Sequence, residues 1–171
     1  DIEKDMRYLQ LLSNNFPTVA AAATEIINLS AILQLPKSTE HFLADIHGEH
    51  QAFLHVLKNA SGNIKRKVNE IFGNTLREAD TKEICTLIYY PEQKLEIIKS
   101  KEEDLNDWYH ITLHQLVAVL RDVCSKYTRS KVQKSLPEEF SYIIQELLHE
   151  RTEDNNKTAY VNGIIDSIIA T

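Results

Sequence analysis

Asp45 and His47 stand two residues apart, and Gly48 follows them. On an extended segment, positions i and i+2 point to the same side, so a carboxylate and an imidazole would converge just beyond its end. A hard oxygen beside a borderline nitrogen is a ligand pair for manganese, iron or zinc rather than calcium. Two donors are too few, because a metal site takes roughly four to six. A plainer reading stays open at this point: Asp45 caps the next helix and His47 is an ordinary loop histidine.

Other groups compete for attention. Asp107, His110 and His114 sit at helical steps of three and four, so they share a face that could chelate a metal. No ligand from a second helix accompanies them, and a polar helix face is the simpler reading. His50 and His55 follow the Asp-x-His pair at a step of five, which does not align them. Residues 121–134 hold five cations, Arg121, Lys126, Arg129, Lys131 and Lys134, against one carboxylate, Asp122. Such a run suits an anion, and arginine adds bidentate geometry. Pairing with Glu138 and Glu139 would explain it equally well. Lys65, Arg66 and Lys67 form a second basic patch. The pairs Trp108-Tyr109 and Tyr89-Tyr90 read as helix-packing core.

These residues need a scaffold, and the composition says which kind. With 171 residues, 43% hydrophobic and only four glycines and four prolines, the chain is a globular protein of one or two domains. Its net charge of −6 repels nucleic acid and anionic lipid. No window is apolar enough to cross a membrane. No signal peptide is visible, so a cytoplasmic protein is expected. Cys85 and Cys124 fall in no metal or redox pattern and read as reduced thiols.

Apolar residues recur at helical spacing along most of the chain. The pattern predicts helices over about 4–14, 17–35, 63–72, 80–90, 91–99, 104–127, 137–150 and 160–169, with another after Gly48. Asp80 is expected as an N-cap, and 151–157 as a polar linker. His41 to Asp45 differs: short, apolar and closed by Gly48, it reads as a buried strand. A lone strand leaves its backbone groups unpaired, so its partners would lie outside this chain. The apolar end from Ile164 to Thr171 points the same way, to a fragment. The expected fold is therefore mainly α, a helical bundle or insertion. Its one isolated strand would belong to an α/β metallophosphatase core that is mostly absent.

The Asp45-Ile46-His47-Gly48 motif at a strand end resembles the first metal motif of the calcineurin-like metallophosphoesterases. The flanks are more specific. The stretches TEIINLSAILQLPKSTEHFLADIHGEHQAFLHVLKNASG, EIFGNTL, TLIYYPEQKLEIIK, DWYHITLHQL and KYTRSKVQKSLPEEFSYIIQELLHE resemble the class III fructose-1,6-bisphosphatases, from about Arg7 to the end. The resemblance implies metal-dependent hydrolysis of the 1-phosphate of fructose 1,6-bisphosphate, in gluconeogenesis, usually with manganese. Asp45 and His47 would bind one metal of a binuclear pair, and Arg129 and Lys131 would meet a substrate phosphate.

The resemblance divides the chain into residues 1–62, N-terminal helices plus the first strand-turn-helix of the core, and a helical insertion over 63–171. The family's later motifs, Gly-Asp and Gly-Asn-His-Asp/Glu, do not occur; Gly73-Asn74 is followed by Thr75. The chain is accordingly expected to be an N-terminal fragment, inactive alone and prone to self-association or homo-oligomer formation. The competing expectation is an all-helical interaction module that docks a partner through the long 104–127 helix. The isolated strand would separate the two.

Overall fold

The computed structural model describes residues 2–35, 37, 40, 42–59, 62–101, 104–149 and 155–171. Among these, every regular element is helical. The chain divides into two compact units, Asp1–Ser38 and Thr39–Thr171.

The first unit holds α1, Ile2–Asn15, and α2, Val19–Ile32. Pro17 was expected inside the first turn of α2. It stands one residue before the cap instead, and the Thr18 hydroxyl accepts the Ala21 N–H at 3.1 Å. This satisfies one of the donors that a helix start leaves orphaned. Four consecutive alanines favour the helix, yet none of its side chains is buried.

The second unit begins with a turn and continues with α3 (His50–Asn59), α4 (Asn63–Phe72), α5 (Glu78–Tyr89) and α6 (Pro91–Lys101). It goes on through α7 (Leu105–Cys124), α8 (Arg129–Ser135), α9 (Ser141–His149) and α10 (Asn155–Ala170). Asp104 caps α7, its carboxylate accepting the N–H groups of Asn106 and Asp107 at 3.0 and 3.1 Å. Gly73 follows α4 with right-handed backbone, and a Cβ there would lie 2.5 Å from the Asn69 carbonyl oxygen.

Two apolar clusters hold this unit. Val68, Ile84, Cys85 and Val119 form one, joining α4, α5 and α7. Leu147, Val161 and Ile165 form the other, with Leu113 and Val117 packed against it. Helix α7 serves both. Twenty residues make it about 30 Å long, enough to span two clusters with successive turns. By packing, α3 belongs with α4 and α5.

Several expectations need correction. No strand forms in the described part of the 41–45 segment, and His41 itself lies outside the described residues. Phe42 is 90% exposed, so the segment is not buried either. The reason is physical: among the described residues no second strand is available to pair its backbone. Asp80 does not cap α5. It lies in the first turn, where the Arg77 guanidinium reaches it at 2.9 Å. The 137–150 segment starts as a 3-10 turn, Glu138–Phe140, before α9. Residues 155–157, expected as linker, are already helical.

Candidate functional site

The turn that leads into α3 is built by its own backbone. The Glu49 N–H bonds to the Ile46 carbonyl and the His50 N–H to the Gly48 carbonyl, each at 2.9 Å. Asp45, His47 and Gly48 all have left-handed backbone, with φ of 62°, 51° and 75°. Glycine takes this conformation freely; aspartate and histidine are among the few other residues that visit it. Two such non-glycine residues cost on the order of 1–2 kcal/mol each. Strain at adjacent ligand-type side chains is a pattern of functional turns.

The result brings Asp45 and His47 together, by a turn rather than by strand alternation. Their side chains meet, His47 Nε2 lying 2.9 Å from Asp45 Oδ2, and both are about three-quarters exposed (78% and 73%). Asp45 therefore does not serve as a helix cap here, since its carboxylate faces the imidazole. The donors suit manganese, iron or zinc in kind. They do not suffice in number: no group of three or more histidine, cysteine or acidic side chains that could hold a metal occurs among the described residues. The turn offers two donor side chains and no more.

The other candidates resolve into packing contacts. His110 reaches across from α7 to α10, its Nε2 3.1 Å from Asp166 Oδ1, so the Asp107-His110-His114 face is not a chelate. The His55 imidazole hydrogen-bonds the Tyr90 hydroxyl and stacks on its ring, and the Lys58 ammonium lies 4.7 Å from that ring's centre. Arg121 leaves the basic run: its Nε and Nη2 donate to the Leu147 carbonyl at 2.8 and 2.6 Å. Arg129 and Lys131 stay on the exposed first turn of α8, with the Lys131 ammonium 4.8 Å over the Tyr127 ring. Sequence periodicity missed α8, since Val132 is its one buried residue.

The second basic patch is likewise internal. Arg66 bonds Glu70 and Asn63, and Lys67 bridges Glu70 and Asp122, each at 2.8 Å. The hydrogen bond to Asp122, then that to Glu70, raises the Lys67 pKa above its ordinary value. Burial pushes the Cys85 and Cys124 thiols up, so both stay protonated and poorly reactive.

No strand forms among the described residues of the 41–45 segment to separate the two expectations. The family model described as Firmicute fructose-1,6-bisphosphatase matches residues 7–171. The chain belongs to this family.

Relatives in the fructose-1,6-bisphosphatase family agree. The chain is 72% identical over 170 residues to a protein named fructose-1,6-bisphosphatase class 3 from Phocaeicola vulgatus, covering 99% of this chain and 26% of that protein. It is 72% identical over 167 residues to the protein of that name from Bacteroides thetaiotaomicron, covering 98% and 25%. The one from Clostridium novyi is 61% identical over 168 residues, covering 98% and 25%. The chain thus spans about a quarter of the length of these relatives. No solved structure matches it. No helix among the described residues is long and apolar enough to cross a membrane.

Proposed function

We propose that this chain is a section of a class 3 fructose-1,6-bisphosphatase, the section that supplies the first two metal ligands. The 72% identity over 99% of the chain carries this reading. In the whole enzyme, Asp45 and His47 hold one ion of a manganese pair, and the remaining ligands come from residues outside this sequence. Such a pair activates water for attack on a phosphate monoester and neutralises the phosphate oxygens, here at the 1-phosphate of fructose 1,6-bisphosphate. The exposed side chains of Arg129 and Lys131 are the candidates for the phosphate that is not cleaved. Residues 63–171 are a helical insertion between this metal motif and the next.

The 171-residue chain is inactive alone, because two donors do not hold a metal pair. It self-associates through apolar surface that the whole enzyme would cover. The two unpaired thiols fit a reducing compartment, and we place the enzyme in the cytoplasm. The test compares manganese-dependent phosphate release by the whole enzyme, its Asp45→Asn and His47→Gln variants, and the 171-residue chain. Hydrolysis by the wild-type enzyme alone is expected. Full activity in either variant removes Asp45 or His47 from the site, and release of phosphate by the short chain overturns its inactivity.

A further inference from the structure

Helix α3 and the turn that carries Asp45 and His47 share one hydrogen-bonded backbone. The Glu49 N–H closes the turn onto the Ile46 carbonyl, and the Glu49 carbonyl accepts the Phe53 N–H at 3.0 Å. What holds α3 therefore holds the two ligand-type side chains. Apolar packing holds it loosely. Phe53, Leu54 and Val56 are half-buried, and no side chain of α3 is fully buried. Such contacts are non-directional, so they resist sliding or rotation of the helix only weakly.

Tyr90 supplies the direction. Its hydroxyl lies 2.5 Å from His55 Nδ1, and the two rings stack with centres 6.0 Å apart and planes within 10°. The Lys58 ammonium stands 4.7 Å from the tyrosine ring centre. His55 and Lys58 are three residues apart on one face of α3, so one tyrosine meets both. Tyr90 is itself firmly mounted. It sits at the break between α5 and α6 with φ −137° and ψ 64°, outside the helical region, as the residue before a proline is driven to be. Its N–H donates to the Thr86 carbonyl at 2.8 Å, and its carbonyl accepts the Lys94 N–H at 3.0 Å.

We propose that His55 and Tyr90 are positioning residues for the metal turn: through them the α5–α6 junction sets where Asp45 and His47 stand. They act through α3 and not as ligands. The inference rests on the reading of Asp45 and His47 as manganese ligands. A helix with its side chains is about 5–6 Å in radius, so a rotation of about 10° displaces side chains by about 1 Å. Metal–donor distances tolerate only about 0.2 Å. His55 lies five residues beyond the first residue of α3, about 8 Å along the axis. Little of such a rotation is absorbed between the clamp and the turn.

Manganese binding to the whole enzyme carrying this sequence, read from the electron paramagnetic resonance of free Mn2+, tests it. Tyr90→Phe and His55→Leu should each weaken binding about three- to tenfold, the equivalent of one lost hydrogen bond. Should one of them fail to fold, the other decides. His55→Asn keeps a polar atom near the Nδ1 position and should retain most of the affinity. Phosphate release by Tyr90→Phe should fall at limiting manganese and recover in excess manganese, with KM for the sugar bisphosphate unchanged. Tyr160→Phe removes a comparable hydroxyl bond, the one to Glu146, and should bind manganese as the wild type does. Asp45→Asn separates the two readings. Wild-type affinity in Asp45→Asn overturns the ligand reading, and the clamp falls with it. Weakened binding in Asp45→Asn beside wild-type affinity in Tyr90→Phe and His55→Leu overturns the clamp alone. An equal loss in Tyr160→Phe also overturns the clamp, because it marks a general loss of stability.

Discussion

Lys67 of α4 sets its ammonium 2.8 Å from Asp122 of α7 and 2.8 Å from Glu70 on its own helix. This side chain is only 15% exposed, so one cation ties two helices beside the Val68 cluster. Its pKa is raised from 10.5, chiefly by the Asp122 hydrogen bond, and that of Glu70 is lowered from 4.5, chiefly by Lys67. A raised cationic pKa gives stability that is complete below the unfolded value and fades as pH climbs through the folded one. A lowered carboxylate pKa gives stability that is complete above the unfolded value and fades as pH falls through the folded one. Urea midpoints of the chain should therefore decline above about pH 10.5 and below about pH 4.5. Lys67→Met should flatten both limbs; an unchanged profile would show that the bridge does not couple to folding.

The Arg121 guanidinium supplies two N–H groups to the Leu147 carbonyl near the end of α9. Carbonyls in the last turn of a helix have no partner within it. Arg121→Met should cost about 1–3 kcal/mol, the penalty for a half-buried acceptor left unpaired. Arg121→Lys should recover only part, because an ammonium cannot reproduce the fork. Chemical denaturation of the three proteins reads the difference, and equal stability of wild type and Arg121→Met would refute it.

The cap on α7 is a third place to measure. Asp104→Ala removes an acceptor of two N–H groups and should cost about 1 kcal/mol. Asp104→Asn should restore most of it, as asparagine caps almost as well. A larger loss in the asparagine variant than in the alanine variant would be inconsistent with capping as the cause.

Ile165 is completely buried in the α7–α9–α10 cluster. Ile165→Ala should cost about 2–5 kcal/mol and Ile165→Val about 0.5–1.5 kcal/mol, since the cavity left by the larger deletion collapses only in part. Thermal unfolding gives the order. A tolerated alanine would mean that this cluster is not structural.

Much of the helical order was legible locally. The 63–72 pattern became α4 with the same ends, and Pro91 opened α6. Periodicity, caps and stops are properties of neighbouring residues, so a sequence displays them. The exceptions are equally instructive. Helix α8 has too few apolar residues to show a period, and the 41–45 segment looked like a strand because its apolar run did. A strand's stability lies in its ladder partners, which no local pattern contains.

The candidate site divides along the same line. Sequence alone determined that Asp45 and His47 stand two apart before a glycine, which ligand chemistry they suit, and which family the flanking stretches resemble. Tertiary structure decided that the two converge through left-handed turns, that His110 belongs to Asp166, and that Arg121 belongs to Leu147. It also decided that α9 and α10 leave an apolar groove open. Residue types and spacings are carried by the chain itself, whereas the choice of partner depends on which distant segments the packing brings within a few ångströms.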